Sequence, residues 1–336
     1  MNVKLNKEEL MALITYIYDK TDEILIESPF TPTLADIKFG KEIKLKFFLE
    51  DYERSVESGE EKKFLPSRDE LTYLFSLAGI FKIKNIQDMY TQIDEFNRRD
   101  VFRGQRIGLI SFDTNAFPLN VPKLVYEYMT SKRLRNIGIF IPKPVIIELE
   151  RQWIESRYKI SKKSKIKDQK FLKTFLNQLH PNARTFKLCS IYAQKLANQF
   201  QVYASSSSVS ETGDINIIKD IEKNHQYDHL LITEDSNMEG LAYQHRIQVI
   251  KIDGNRGKNL KKLRTRTLEI SWEVLRDFIY VLSIYMGKIK ISNFEVSGLW
   301  NGKEEKDWKN EIVKISTKIN LPKIKTLQKI QTIYEY

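Results

Sequence analysis

Four acidic residues that are far apart in the sequence have the types and positions needed for metal-ion chemistry: Asp113, Glu148, Asp214 and Asp235. Ligands of an open parallel sheet bind beyond the carboxyl ends of its strands, and we expect the four carboxylates to meet at that edge. Like charges packed together raise one another's pKa, so the cluster indicates divalent cations that neutralise it. Oxygen ligands alone favour hard ions, and the expected cofactor is therefore Mg²⁺ or Mn²⁺.

An alternation of strands and helices is predicted to position these carboxylates. Short runs of β-branched and aromatic residues predict strands over 107–112, 137–141, 229–233 and 247–252. Asp113 follows the first strand, and Asp235 follows the third. Glu148 lies one turn into the helix after the second strand, and Asp214 begins a helix that leads into the third. Alternating units of this size argue for an α/β fold, in which helices cover both faces of a parallel sheet.

The segments that carry the carboxylates resemble the four acidic motifs of the PIN-domain nucleases, in the same order. They are Ile110-Ser111-Phe112-Asp113-Thr114-Asn115, Pro144-Val145-Ile146-Ile147-Glu148-Leu149, Gly213-Asp214-Ile215-Asn216-Ile217-Ile218 and Leu230-Leu231-Ile232-Thr233-Glu234-Asp235. The resemblance covers about residues 106–253 and implies a PIN-like α/β/α sandwich with a central parallel sheet. Two features depart from the family pattern. The stretch between Glu148 and Asp214 is long, and Asn237 stands where many members have a further aspartate.

The resemblance implies a metal-dependent nuclease, in particular an endoribonuclease that leaves 5′-phosphate and 3′-hydroxyl ends. All four acidic residues are then both catalytic residues and metal ligands, with Asp113 and Asp235 holding one ion and the other two a second. A few neighbours are expected to support these ligands, namely Thr114, Asn115, Thr233, Asn237 and Glu211. Glu150 is not expected to join Glu148 in the site, because two positions along a helix turn the side chain by about 200°.

Two basic segments, 159–170 and 255–266, are expected to border the carboxylates and to bind the phosphates of a nucleic acid, RNA rather than DNA. Their candidate residues are Lys162, Lys163, Lys165, Arg256, Lys258, Lys261, Lys262 and Arg264. The net charge of +11 and the pI near 9.3 agree with a polyanionic partner. Tyr243 is among the tyrosines available to stack on unpaired bases.

Changes in composition divide the chain into three predicted domains. A mainly helical N-terminal domain covers 1–105, the PIN-like domain covers 106–254, and a basic linker with a small C-terminal α+β appendage covers 255–336. Within the first domain, Ser67 and Glu70 form the pattern of a capping box at a helix start. Alternating apolar residues around 37–47 predict a hairpin.

Other classes of protein are excluded or disfavoured by simple observations. A single cysteine, Cys189, excludes an intramolecular disulfide and a cysteine-based zinc finger. No GxGxxG motif follows a predicted strand, and the histidines form no HExxH motif. The N-terminus lacks the pattern of a signal peptide, and apolar stretches fall short of the roughly 20 residues that span a bilayer. We therefore expect a cytoplasmic protein without a membrane partner, for which a homo-oligomer or a protein partner stays possible.

One other function remains open, and another is disfavoured. A catalytically silent PIN-like module could bind nucleic acid or scaffold a ribonucleoprotein, which Asn237 and the length of the chain favour. A haloacid-dehalogenase-like phosphatase also begins with an aspartate after its first strand. Its chemistry requires a second aspartate two residues later, where this chain has Asn115.

Overall fold

The computed structural model describes residues 2–29, 31, 33–56, 64–155, 174–175, 178–200, 212–254 and 256–318. Two compact units form the chain. The first unit comprises Met1–Phe81, Ser156–Arg184 and Arg256–Tyr336, and the second comprises Lys82–Glu155 and Thr185–Asn255. Each unit contains its own β-sheet. No helix among the described residues is both long and apolar enough to cross a membrane.

Helices and strands alternate along most of the described chain. The helices are α1 (Lys7–Tyr18), α2 (Leu49–Val56), α3 (Arg68–Leu77), α4 (Ile86–Asn97), α5 (Val121–Lys132), α6 (Lys143–Glu155), α7 (Pro181–Gln199), α8 (Asp214–Glu222), α9 (Ser236–Gln244), α10 (Arg256–Thr265), α11 (Trp272–Tyr285) and α12 (Glu305–Lys309). The strands are β1 (Asn2–Leu5), β2 (Glu23–Glu27), β3 (Ala35–Lys38), β4 (Ile43–Phe47), β5 (Gly108–Phe112), β6 (Ile137–Phe140), β7 (Asp228–Thr233), β8 (Gln248–Lys251), β9 (Leu268–Ile270), β10 (Lys288–Ile291), β11 (Phe294–Ser297) and β12 (Val313–Thr317).

The first unit is built on an eight-stranded antiparallel sheet with the order β1-β12-β11-β10-β2-β3-β4-β9. Strands from both ends of the chain therefore share one sheet, whereas the sequence predicts a mainly helical N-terminal domain and a separate C-terminal appendage. The outermost pair joins Asn2 to Ser316. Short strands that alternate lysine with an apolar residue carry little local signal, and their partners hundreds of residues away are invisible in the sequence.

Local predictions in this unit agree with the structure. The hairpin expected around 37–47 is the antiparallel pair β3–β4. Helix α3 begins at the expected capping box, in which the Ser67 side chain accepts from the Glu70 N–H and the Glu70 side chain accepts from the Ser67 N–H. Helix α11 fills the core with almost wholly buried residues, and Gly298 lies against its backbone. A Cβ atom at position 298 would come within 2.3 Å of the Ile284 nitrogen, so this position requires glycine.

The segment predicted as a basic linker after residue 254 is helix α10. Leu260 and Leu263 are buried at helical spacing, and this apolar pair gives the helix a packing face. Lys261, Lys262 and Arg264 are exposed. The high proportion of basic residues concealed a short amphipathic helix.

The second unit contains the predicted parallel sheet, with the order β6-β5-β7-β8 and every neighbouring pair parallel. The four strands lie within a residue or two of their predicted bounds. Connections between parallel strands are almost always right-handed. The chain goes from β5 to β6 on one side and then to β7 on the other side of β5. This rule therefore predicts helices on both faces of the sheet. Helix α6 packs against α8, which packs against α9, while Tyr90 of α4 stacks on Tyr128 of α5. The α/β class is confirmed, and the arrangement is compatible with an α/β/α layout.

Candidate functional site

Asp113 lies at the carboxyl end of β5, the central strand of the predicted PIN-like region, and is 3% exposed. Its backbone N–H donates to the Ile232 carbonyl, which continues the pairing of β5 with β7. The carboxylate accepts two hydrogen bonds. Thr114 N donates to Oδ1 at 2.6 Å, and Thr233 Oγ1 donates to Oδ2 at 2.9 Å. The strand end and a short 3-10 turn therefore fix this side chain.

Thr233 links Asp113 to the next acidic residue. It ends β7 and is fully buried, and its hydroxyl both donates to Asp113 and accepts from the Asp235 N–H at 2.9 Å. Asp235 is the N-cap of α9, where its Oδ1 accepts from Asn237 N at 2.7 Å. The sequence Thr-Glu-Asp at the end of β7 thus places the Asp235 carboxylate at the start of α9. The Thr233 hydroxyl orients the carboxylate of Asp113.

Glu148 reaches the same edge from helix α6. Thr114 Oγ1 donates to its Oε2 at 2.9 Å, and Gln152 Nε2 donates to its Oε1 at 3.3 Å. The start of this helix is held by Asp220 of α8, whose Oδ2 accepts from Lys143 N at 2.8 Å. Hydrogen bonds therefore run from Asp235 through the two threonines and Asp113 to Glu148.

Asp214 is the first residue of α8 and is exposed. The preceding Gly213 has φ +105°, a conformation that other residues rarely adopt, and it turns the chain into the helix. A carboxylate in the first turn interacts favourably with the helix dipole.

Three pairs among the four carboxylates interact electrostatically: Asp113 with Glu148, Asp113 with Asp214, and Asp214 with Asp235. Burial raises the pKa of Asp113 to about 6, and the negative charges of Asp214 and Glu148 add to this shift, while the hydrogen bonds from Thr233 and Thr114 oppose it. Burial also raises the pKa of Asp214, and the charge of Asp235 adds to it. The structure therefore brings the four predicted acidic residues to one edge of the sheet.

The chemistry of these donors fits a hard divalent cation. All four offer carboxylate oxygens, and one of them is buried where its charge is unfavourable without a counter-ion. Among the described residues, no three His, Cys, Asp or Glu side chains are already grouped around one point where they could hold a metal ion. The carboxylates of Asp113 and Asp235 already accept hydrogen bonds from a threonine hydroxyl and from backbone N–H groups. A bound ion would use the remaining lone pairs of these oxygens.

The predicted supporting residues divide into two groups. Thr114 and Thr233 contact the carboxylates directly. Asn115 and Asn237 are exposed, and Asn237 contributes its backbone N–H to Asp235. Glu211 lies outside the described residues.

Two residues that contact helix α6 or Glu148 were not singled out by the sequence analysis. Gln152 lies four residues after Glu148 on the same helix, and this i, i+4 spacing could have identified it. Asp220 had no such signal, because its partner Lys143 is far away in the sequence. Glu150 binds Gln194 of α7, as expected for a side chain on another face of the helix.

The predicted phosphate-binding residues on α10 belong to the first unit. Lys162, Lys163 and Lys165 lie outside the described residues, and the structure describes no side chain for Arg256 or Lys258. Of the remaining candidates, Arg264 forms an ion pair with Glu53 at 2.8 Å. The exposed Lys261, Lys262 and Arg264 lie on α10, whereas the carboxylates lie in the second unit.

Comparison with known proteins adds no relative to this description. No protein-family model, curated protein or solved structure matches the chain. The functional assignment therefore depends on the geometry and chemistry of the residues themselves.

Proposed function

We propose that the second unit is a PIN-like, metal-dependent nuclease, in particular an endoribonuclease. The observation that carries the proposal is the buried Asp113 at the end of a central parallel strand, with its pKa raised by burial and by the charges of Glu148 and Asp214. Perturbed pKa values cluster at functional sites, and ligands of open parallel sheets bind at this edge. The order of the four acidic motifs along the chain supports the same reading.

The carboxylates would hold one or two Mg²⁺ or Mn²⁺ ions, Asp113 and Asp235 the first, and Glu148 and Asp214 the second. A bound ion supplies an activated water and neutralises charge on the scissile phosphate. The protein's own residues provide the orientation. Thr233 fixes the positions of Asp113 and Asp235 relative to each other, and Thr114 joins Asp113 to Glu148. By analogy with the PIN nucleases, the products would have 5′-phosphate and 3′-hydroxyl ends.

Incubation of the full chain with end-labelled single-stranded RNA and DNA, with Mn²⁺ or with EDTA, tests this function. We expect Mn²⁺-dependent cleavage of RNA by the wild type and its loss in Asp113→Asn, which keeps the shape of the side chain but removes its charge. Glu150→Gln is the matched control, because Glu150 lies on the same helix as Glu148 and binds Gln194 instead.

The silent-module alternative is separated by a second measurement on the same samples. Binding of Mn²⁺ by the folded state alone raises the melting temperature through linkage. We expect this rise in the wild type and a smaller one in Asp113→Asn. If the wild type shows no cleavage and no metal-dependent stabilisation at any Mn²⁺ concentration, the nuclease proposal is contradicted. That result would favour a module that only binds nucleic acid.

A further inference from the structure

The end of the parallel sheet opposite the carboxylates collects almost all arginines of the second unit. Four loops precede the strands at this end, and we call them together the amino edge: 98–107, 133–136, 223–227 and 245–247. Three of these loops carry arginines, and the loop 223–227 carries none: the arginines are Arg98, Arg99, Arg103, Arg106, Arg133, Arg135 and Arg246. Of the arginines in this unit, Arg151 alone lies elsewhere.

Hydrogen bonds tie the loops of the amino edge into one surface. Loops that lie side by side are joined by Asn136 Nδ2 to the Arg99 carbonyl (2.9 Å), Arg106 Nη1 to the His225 carbonyl (2.6 Å), and His245 Nδ1 to Glu222 Oε1 at the end of α8 (2.8 Å). Because the strands are parallel, these loops lie side by side at one end of the sheet. The arginines are thus spread across a continuous surface rather than scattered over the unit.

Most of these positive charges are available to a ligand. Two arginines have acidic partners, since Arg99 pairs with Asp228 and Arg103 with Asp100. The others are exposed and form no ion pair within the part of the chain that the structure describes: Arg98, Arg106, Arg133, Arg135 and Arg246. A concentration of unpaired positive charge favours an anionic partner.

An aromatic side chain stands in the middle of the arginine-rich loop before β5. Phe102 is 105% exposed, at the centre of the 3-10 turn Val101–Arg103. Single exposed apolar residues are common, but a whole phenyl ring in water with an arginine next to it offers both a stacking surface and a charge. Arg103, whose side chain is also largely exposed, lies beside it.

A cavity of about 460 Å³ opens at the same edge of the unit. Its lining includes Phe96, Arg98, Arg99, Leu230, Tyr243 and Gln248. Tyr243 is 60% exposed, and it lies in the last turn of α9, just before the last loop of the amino edge. The volume lies within the range of small-ligand sites.

We propose that the amino edge is a second nucleic-acid site, which binds a single strand through its arginines while Phe102 and Tyr243 stack on unpaired bases. Charge complementarity selects a phosphate backbone, and exposed aromatic rings select unpaired bases over a duplex. Gly108 and Asp113 are the two ends of one strand, so the amino edge lies roughly 17 Å from the carboxylates. This site goes beyond the proposed cleavage, since it requires no metal ion.

Fluorescence anisotropy in EDTA with a labelled single strand, as RNA and as DNA of the same sequence, tests the site without cleavage. The variant Arg98→Gln/Arg133→Gln/Arg135→Gln removes three exposed charges that form no ion pair among the described residues. We expect at least about tenfold weaker binding and a slope of log K against log salt reduced by about 2, because each lost phosphate contact changes the slope by about 0.7. Arg151→Gln is the control outside the amino edge, and we expect it to bind like the wild type.

Phe102→Ala and Tyr243→Ala test the stacking surfaces. Each should weaken binding of the single strand about tenfold and leave binding of a duplex of the same sequence unchanged. Phe102→Tyr, which keeps an aromatic ring, should restore binding. All of the substituted side chains are exposed, so melting temperatures should match the wild type.

Binding by the triple variant no weaker than by Arg151→Gln would overturn the proposal. Equal losses for single strand and duplex in Phe102→Ala would overturn the stacking. These outcomes are distinct from failure of the nuclease proposal. Binding in EDTA through the amino edge without any cleavage would support the amino-edge proposal and contradict the nuclease proposal. Cleavage without a contribution of the amino edge to binding would support the nuclease proposal and contradict the amino-edge proposal.

Discussion

The same four parallel strands end in opposite chemistry. At one end, carboxylates are held by hydrogen bonds, and Asp113 is buried despite the charges of Glu148 and Asp214. At the other end, arginines project into solvent from loops, and most have no acidic partner among the described residues. The carboxylate end is organised at a cost in stability, whereas the amino edge is solvated and nearly free of that cost. The carboxylates are positioned by hydrogen bonds from backbone N–H groups and threonine hydroxyls, whereas the binding proposed for the amino edge comes from exposed charge and exposed aromatic rings.

The largest expected effect separates the two ends in a steady-state cleavage assay. Loss of a residue that only orients a metal ligand typically lowers activity roughly 10- to 100-fold. Asp113→Asn should lower kcat by more than this, with the KM for the nucleic-acid strand almost unchanged. The triple arginine variant of the amino edge should do the reverse, raising KM about tenfold with kcat nearly constant. Equal effects on kcat from both variants would remove the distinction between the two ends.

The pH dependence of stability should report the buried carboxylate. The pKa of Asp113 is about 6 in the folded state and 3.8 in the reference state, so the folded protein binds the proton more tightly. The free energy of unfolding should therefore fall as pH rises from about 4 to 6, by an amount on the order of 3 kcal/mol, with no contribution below that window. Urea unfolding in EDTA at pH 4 and pH 7 measures it.

Asp113→Asn supplies the control for this pH dependence, because it has no charge to lose at position 113. The difference in unfolding free energy between the variant and the wild type should grow in favour of the variant between pH 4 and pH 7. The hydrogen bonds from Thr114 and Thr233 can both be kept by an amide, since the Thr233 hydroxyl can also accept. A difference independent of pH would show that Asp113 is ionised without cost.

A smaller effect is expected from the hydroxyl that joins two of the carboxylates. Thr233→Val keeps the shape but removes the donor to Asp113 and the acceptor for the Asp235 N–H. Metal-dependent cleavage should fall about 10- to 100-fold, as for other partners that orient metal ligands. Thr233→Ser keeps the hydroxyl and should retain most of the cleavage activity. If Thr233→Ser loses as much activity as Thr233→Val, the loss comes from altered packing rather than from the missing hydrogen bonds.

The sequence predicts the second unit far better than the first. Each strand of the parallel sheet is a short apolar run, and each acidic motif lies at an element boundary, so Asp113 and Asp235 could be placed from local pattern alone. The antiparallel sheet depends on pairing such as Asn2 with Ser316, for which no local pattern exists. Helix α10 was concealed by its basic residues, and Asp220 was missed because its contact is tertiary.

The amino edge was also beyond the sequence analysis, for a physical reason. Its arginines precede three different strands, β5, β6 and β8, and no single segment contains enough of them to exceed the basic segments 159–170 and 255–266 in charge. Only the parallel arrangement of β5 to β8 brings them together. Tyr243 was noted as a stacking candidate from the sequence, but only the fold shows that it lines the same cavity as Arg98.

The smallest expected effect concerns the residue at which the chain departs from the PIN pattern. Asn237 is exposed in the first turn of α9, directly beyond the cap formed by Asp235. Asn237→Asp adds a negative charge, which the helix dipole stabilises by about 0.3–1 kcal/mol. The neighbouring carboxylates repel this charge. Because the two effects oppose each other, the melting temperature without metal should hardly change. With Mn²⁺ present, the added ligand should enlarge the rise in melting temperature, by the amount that a few-fold tighter site produces. Thermal melts across a Mn²⁺ titration measure this, with Asn115→Asp, another exposed asparagine near Asp113, as the comparison. A larger rise for Asn115→Asp than for Asn237→Asp would place the ion nearer the end of β5 than the start of α9.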